Sequence, residues 1–236
     1  MHISGMCILG GRGYNTCMAM RKIPLVNGEY YHIFNRSIAG FKIFNKSYDF
    51  IRFVRAMQYY QSPILNLRYS RFSELSAKSQ NKILSNRDEV RNIILSYSIM
   101  PTHFHFILRQ DIDNGINNFI GNLTSSYTRY FNILHKRKGP LWESKFMNVR
   151  IESDEQLLHL IRYIHLNPTS AGLVNEPQDW QWSSYNEYLN EEEKICQYKE
   201  IINIPAKEYK KFVMDRKDYQ KELSKIKSML IDNYTG

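Results

Sequence analysis

The stretch Met100-Pro101-Thr102-His103-Phe104-His105-Phe106-Ile107-Leu108 narrows the choice of folds more than any other part of this 236-residue chain. Its residue types read as a strand over residues 99–108, with Met100-Pro101 as the turn leading into it. Successive strand side chains point to opposite faces, so His103 and His105 share one face, about 7 Å apart. Phe104, Phe106 and Leu108 share the other face and need a core to enter. Two neutral imidazoles on a rigid strand supply half of a divalent-metal site. On the strand alone, two surface histidines or two histidines hydrogen-bonded within a fold fit the pattern equally well.

The rest of the chain supplies partners for such a strand. Residues 29–36 (Glu-Tyr-Tyr-His-Ile-Phe-Asn-Arg) are aromatic and β-branched and predict a first strand, with His32 and Phe34 on one face. His32 could approach the site, but a structural role is the expected one. Residues 47–60 carry Phe50, Phe53, Val54 and Met57 at helical spacing, and Asp49 suits the first turn. Residues 65–91 are polar and basic and predict an irregular or helical insertion with a solvated face. Residues 92–98 predict a strand that pairs with the histidine strand as an antiparallel hairpin. Residues 116–134 predict a helix whose broad apolar face includes Phe119, Leu123, Tyr127, Phe131 and Leu134. Its aromatics are expected in the core. Lys136-Arg137-Lys138 follow its last turn, where cations suit both a helix C-terminus and a phosphate backbone.

Residues 141–151 alternate as a further strand. Ser153 and Gln156 form a capping box for a helix from Asp154 to about Leu166, which Asn167-Pro168 is expected to close. A last helix is predicted over residues 206–231. Strands and helices in this order make an α+β sandwich, an antiparallel sheet with packed helices, of which the ferredoxin-like arrangement is one topology. The expected organisation is a Gly-rich opening (1–19), either disordered or preceding a natural start at Met18 or Met20, a main domain (20–190), and a helical C-terminal extension (191–236).

Composition limits the function. A formal net charge of +9, with 17 tyrosines, points to a polyanionic partner, most simply nucleic acid. Cys7, Cys17 and Cys196 form no Cys-x-x-Cys pair, which argues against a zinc ribbon or a disulfide framework and fits a reducing cytoplasm. No apolar run is long enough to span a membrane.

On the helix predicted from Asp154, Leu157, Leu160, Ile161 and Ile164 form the stripe facing the sheet. Tyr163 and Asn167, four apart, stack along one edge beside it, with His159 a turn earlier. A phenol and an amide at that rim could close a site opened by His103 and His105. Asn167 would offer a carbonyl oxygen of the kind hard cations prefer. Each also has a plain structural reading: a core-edge tyrosine, and a helix-terminal asparagine tolerant of non-helical angles.

His103-Phe104-His105 after Met100-Pro101, then Gly139-Pro140-Leu141-Trp142, then Tyr163-Ile164-His165-Leu166-Asn167-Pro168 resembles the single-tyrosine HUH transposases, most closely the REP-associated tyrosine transposases. The resemblance covers roughly residues 23–185. It implies an HUH endonuclease core built on a ferredoxin-like sheet. It further implies Mg²⁺ or Mn²⁺ held by His103 and His105, Tyr163 as nucleophile, and Asn167 where relatives carry a third polar ligand, often the longer Gln. The implied partner is single-stranded DNA, hairpin-forming, with Arg129, Lys136, Arg137 and Lys138 along its backbone. The implied reaction is strand cutting and transfer through a 5′-phosphotyrosine link, by a monomer or homodimer. The competing readings are a catalytically silent nucleic-acid-binding protein of the same fold and, ranked last, a zinc hydrolase.

Overall fold

The computed structural model describes residues 24–62, 67–84 and 90–218. Four strands form one antiparallel sheet: β1 (Tyr30–Arg36), β2 (Asn92–Ile99), β3 (His103–Gln110) and β4 (Met147–Arg150), in the spatial order β2-β3-β1-β4. Helix α1 (Ser47–Tyr60) connects β1 to β2, and α4 (Gly115–Leu134) connects β3 to β4. This βαββαβ chain order with that strand order is the ferredoxin-like arrangement expected from the sequence. The insertion between α1 and β2 contains α2 (Tyr69–Glu74) and α3 (Ala77–Leu84). Tyr69 and Phe72 tuck against Tyr59 of α1, while Arg68, Arg71 and Lys78 stay exposed.

One face of the sheet is closed by α1 and α4. Phe53 meets Phe104 and Phe106 meets Phe119, with ring centroids 5.5 and 6.0 Å apart. The α4 stripe is fully buried at Ile116, Phe119, Ile120, Leu123 and Tyr127, so these aromatics are core. Leu134, expected on the same stripe, is 45% exposed because α4 ends there. Lys136 then takes a left-handed φ of 49°, and the amides of Lys136 and Arg137 close on the carbonyls of Ile133 and Asn132. That is a Schellman stop with lysine in the position usually held by glycine.

The other face carries His103 and His105 and is partly roofed by α5 (Asp154–Ser170), which packs on β2 and β3. Beyond it come α6 (Tyr185–Leu189) and α7 (Ala206–Met214). His165 of α5 is completely buried between the Tyr209 hydroxyl of α7 (2.6 Å from Nδ1) and the Ser184 hydroxyl (2.7 Å from Nε2). The C-terminal segment is thereby tied to α5. The Glu187 carboxylate accepts the amides of Lys194, Ile195 and Cys196 at 2.9–3.0 Å, which holds the segment leading to α7.

Three expectations change. The histidine strand begins at His103; Ile99 belongs to β2, and residues 100–102 form the turn, closed by the Met100 amide on the His103 carbonyl. Residues 141–146 are not strand. Trp142 bridges Ser37 at the end of β1 but buries its indole among Phe44, Phe53, Phe104 and Tyr127 and donates to the Thr124 carbonyl of α4, and no continuous ladder forms before Met147. The Asn35 amide holds the next turn by donating to the carbonyls of Ser144 and Lys145. Helix α5 does not stop at Asn167 but continues through Pro168 to Ser170. Its stop is again a Schellman pair, Gly172 amide to Thr169 carbonyl and Leu173 amide to Pro168 carbonyl, with Gly172 at φ 68°. One interior proline costs a single helical bond, and a buried last turn with Leu166, Pro168 and Thr169 in the core offsets it. The expected opening (1–19) and the last part of the predicted final helix (219–231) lie outside the described residues.

Candidate active site

Strand register decides what stands beside the two histidines. In the β1–β3 ladder Phe34 lies opposite His105, Arg36 opposite His103, and His32 opposite Ile107. Directly opposed residues share a face, so His32, Phe34 and Arg36 join the histidine side. Residues of this face and of the turn before β4 line an open cleft of about 770 Å³: Phe34, Asn35, Arg36, Thr102, His103, His105, Glu143, Ser144, Met147 and Tyr163 among them. Arg36 and Glu143 pair at 2.6 Å on its rim.

Both histidines are held by their Nδ1 atoms. The Thr102 hydroxyl is 2.8 Å from Nδ1 of His103, and Nε2 of His32 is 3.0 Å from Nδ1 of His105. Each ring therefore keeps Nε2 for something in the cleft, the arrangement in which a second hydrogen bond fixes a ligating imidazole. Burial keeps the rings uncharged. It pushes the pKa of His103 down to about 4, with the Arg36 charge adding to the shift. Burial first, then His103 and His32, holds His105 well below the usual imidazole range. Neutral imidazoles with open Nε2 atoms fit a divalent cation. Among the described residues no group of three or more His, Cys, Asp or Glu side chains could hold a metal, so further ligands would be amide, water or phosphate oxygens.

Helix α5 brings Tyr163 to this cleft. Its ring stands edge-on to His105 with centroids 6.0 Å apart, and burial raises its pKa. Asn167, one turn on, is half-buried and does not line the cleft. His159 is also outside it, engaged with Arg162 at 2.9 Å. Arg129, Lys136 and Lys138 are exposed and Arg137 half-buried, on or just beyond α4 and away from the cleft lining.

Sequence reasoning placed His32 in a structural role, and the structure puts its ring against His105. The alternation of β1 gave its face, but only the β1–β3 register shows which residue that face meets. Arg36, Glu143 and Met147 were missed for the same reason, whereas Thr102 stands next to His103 in the chain and its hydroxyl contact with Nδ1 is local. None of those three belongs to a local motif, and pairing across strands alone brings them together.

The family model "Transposase IS200 like" matches residues 54–167. A curated Haemophilus influenzae protein bearing the name REP-associated tyrosine transposase is 26% identical over 98 residues, 37% of this chain and 56% of that protein, so the match spans little more than half of the relative's length. A solved structure described as a REP-associated tyrosine transposase bound to a REP hairpin covers 76% of this chain and 89% of its own, at 15% identity and a TM-score of 0.47. No helix among the described residues is long and apolar enough to cross a membrane. The matched residues 54–167 hold His103, His105, Tyr163 and Asn167, so over this stretch the chain is similar to the IS200-like transposases, and it is similar in part to the curated REP-associated relative.

Proposed function

We propose that this protein cuts and rejoins single-stranded DNA through a covalent bond to Tyr163. The observation that carries the reading is the meeting, in one cleft, of two neutral imidazoles, His105 buried and His103 half-buried, and a phenol delivered by a separate helix. The phenolic oxygen attacks phosphorus, a P–O(Tyr163) bond forms, the P–O3′ bond breaks, and the 3′ oxygen leaves with a proton as a free hydroxyl. One phosphodiester replaces another, so the reverse step joins a new 3′ end without added energy. The proposed substrate is a hairpin-bearing single strand, as the resemblance to the REP-associated tyrosine transposases implies. An unpaired strand can bend its phosphate into the cleft, and the chain's charge of +9 favours a polyanion.

Burial opposes the phenolate, because it raises the pKa of Tyr163. Even an ordinary phenol costs about 4 kcal/mol to ionise at neutral pH. A hard divalent cation, Mg²⁺ or Mn²⁺, held by His103 and His105 would supply positive charge against the scissile phosphate oxygens and the ionising phenol. Thr102 and His32 orient the two rings, and Tyr163 is held edge-on to His105.

The test is incubation of the full chain with a hairpin-bearing single-stranded oligonucleotide and Mn²⁺. A covalent protein–DNA adduct is expected, absent from Tyr163→Phe and from His103→Ala. Binding without an adduct across a broad substrate panel would make the protein a silent DNA binder. Hydrolysis that survives Tyr163→Phe would make it a metal hydrolase.

A further inference from the structure

Helix α5 packs mainly over the β2–β3 half of the histidine-bearing face. On the β1–β4 half, one row of directly opposed residues runs from His105 through Phe34 to Met147, and the neighbouring row sets Val149 beside His32. Met147 is 54% exposed and Val149 43%, while Phe34 is half-buried and lines the cleft together with Met147. The Phe34 ring lies 5.0 Å from His32 and 5.9 Å from His105, centroid to centroid. An apolar strip left in water and continuous with a polar cleft marks a place where a ligand sits.

We propose that Phe34, with Met147 beside it, is a stacking shelf for the nucleobase next to the phosphate held at the histidines. The proposal rests on the single-stranded-DNA reading above and extends it from the phosphate to its neighbouring base. The shelf is one ring and two aliphatic side chains, the size of a single base and far below the area a protein partner needs. On the same cleft, the Arg36 guanidinium, paired with Glu143 at 2.6 Å, stands on the rim within reach of a strand's phosphates. Every base offers a π-face, so stacking here would position the strand with little demand on its sequence. Phe34 lies outside the segment that matches the family model, and the inference comes from the strand register alone.

The experiment uses the full chain and single-stranded hairpin oligonucleotides carrying 2-aminopurine, or an abasic residue, at each position flanking the mapped cleavage point. Wild type is expected to quench 2-aminopurine at one flanking position. Phe34→Leu should lose that quenching, bind the intact strand about tenfold more weakly, and show no extra penalty for the abasic strand. Phe34→Trp should restore the quenching. Met147→Ala, at an exposed position, should give a smaller loss of the same pattern in a fold it cannot disturb. Equal quenching and affinity in wild type and Phe34→Leu, with adducts formed by both, would overturn the shelf and leave the strand-transfer reading intact. A Phe34→Leu penalty equal on abasic and intact strands would mark a structural effect and also overturn it. A wild-type chain that neither binds these strands nor forms an adduct would remove both.

Discussion

His32 fixes which nitrogen His105 can offer to the cleft. Its Nε2 stands 3.0 Å from Nδ1 of His105, and in the tautomer in which His105 donates there, the His105 lone pair is left on Nε2. Loss of such an outer partner typically weakens a metal site 10–100-fold. His32→Ala should therefore lower Mn²⁺ affinity by about that factor in calorimetry or by electron paramagnetic resonance. His32→Gln, whose amide oxygen can accept the same proton, should recover part of the loss. A change in thermal stability with unchanged Mn²⁺ affinity would make His32 structural. The pair His103 and His105, with Tyr163, could be picked out from the sequence because each sits in a short local pattern. His32 could not be, because its role depends on a neighbour 73 positions away in the chain.

At the scale of the element, α5 links the site to the C-terminal segment. His165 is two residues beyond Tyr163, and both its ring nitrogens are satisfied by hydroxyls from outside the helix. Burial pushes its pKa down to about 3, against 6.5 for a free histidine. The unfolded chain therefore binds a proton below pH 6.5 that the folded chain refuses. The stability this residue supports is full above pH 6.5 and falls as the pH drops toward 3. At pH 5 the deficit is about 2 kcal/mol from this one group. Urea midpoints should drop from pH 7 to pH 5, and less steeply in His165→Gln. Tyr209→Phe removes the hydroxyl at Nδ1 and should cost about 1–3 kcal/mol in the same assay at pH 7. No change would mean that α7 does not brace α5. The start of this helix was legible from Ser153 and Gln156, whose cap the structure keeps at 3.2 Å. Its end was not, because a proline's local bias lost to the burial of the last turn.

For the whole molecule, alternation and helical spacing were enough to give an antiparallel sheet with packed helices, since they reflect which faces must leave water; the ferredoxin-like order among such topologies was implied by the resemblance to the HUH transposases. The segment over residues 141–146 misled because apolar alternation also arises when a tryptophan enters a core beside a loop. Charge acts at this scale too. With a net charge of +9, single-strand affinity should fall steeply between 50 and 200 mM salt, linearly in log–log form. Lys136→Gln combined with Lys138→Gln should reduce the slope if these exposed cations track phosphates, and leave it unchanged if they serve only the end of α4.

The imidazole pair and the phenol belong to a single polypeptide, with the rings of His105 and Tyr163 6.0 Å apart. If each copy cuts with its own phenol, as this spacing allows, a copy lacking its phenol and a copy lacking an imidazole have nothing to lend one another. Mixing Tyr163→Phe with His103→Ala should yield no more adduct than either alone, whatever the stoichiometry, and recovery on mixing would reveal that subunits trade helices.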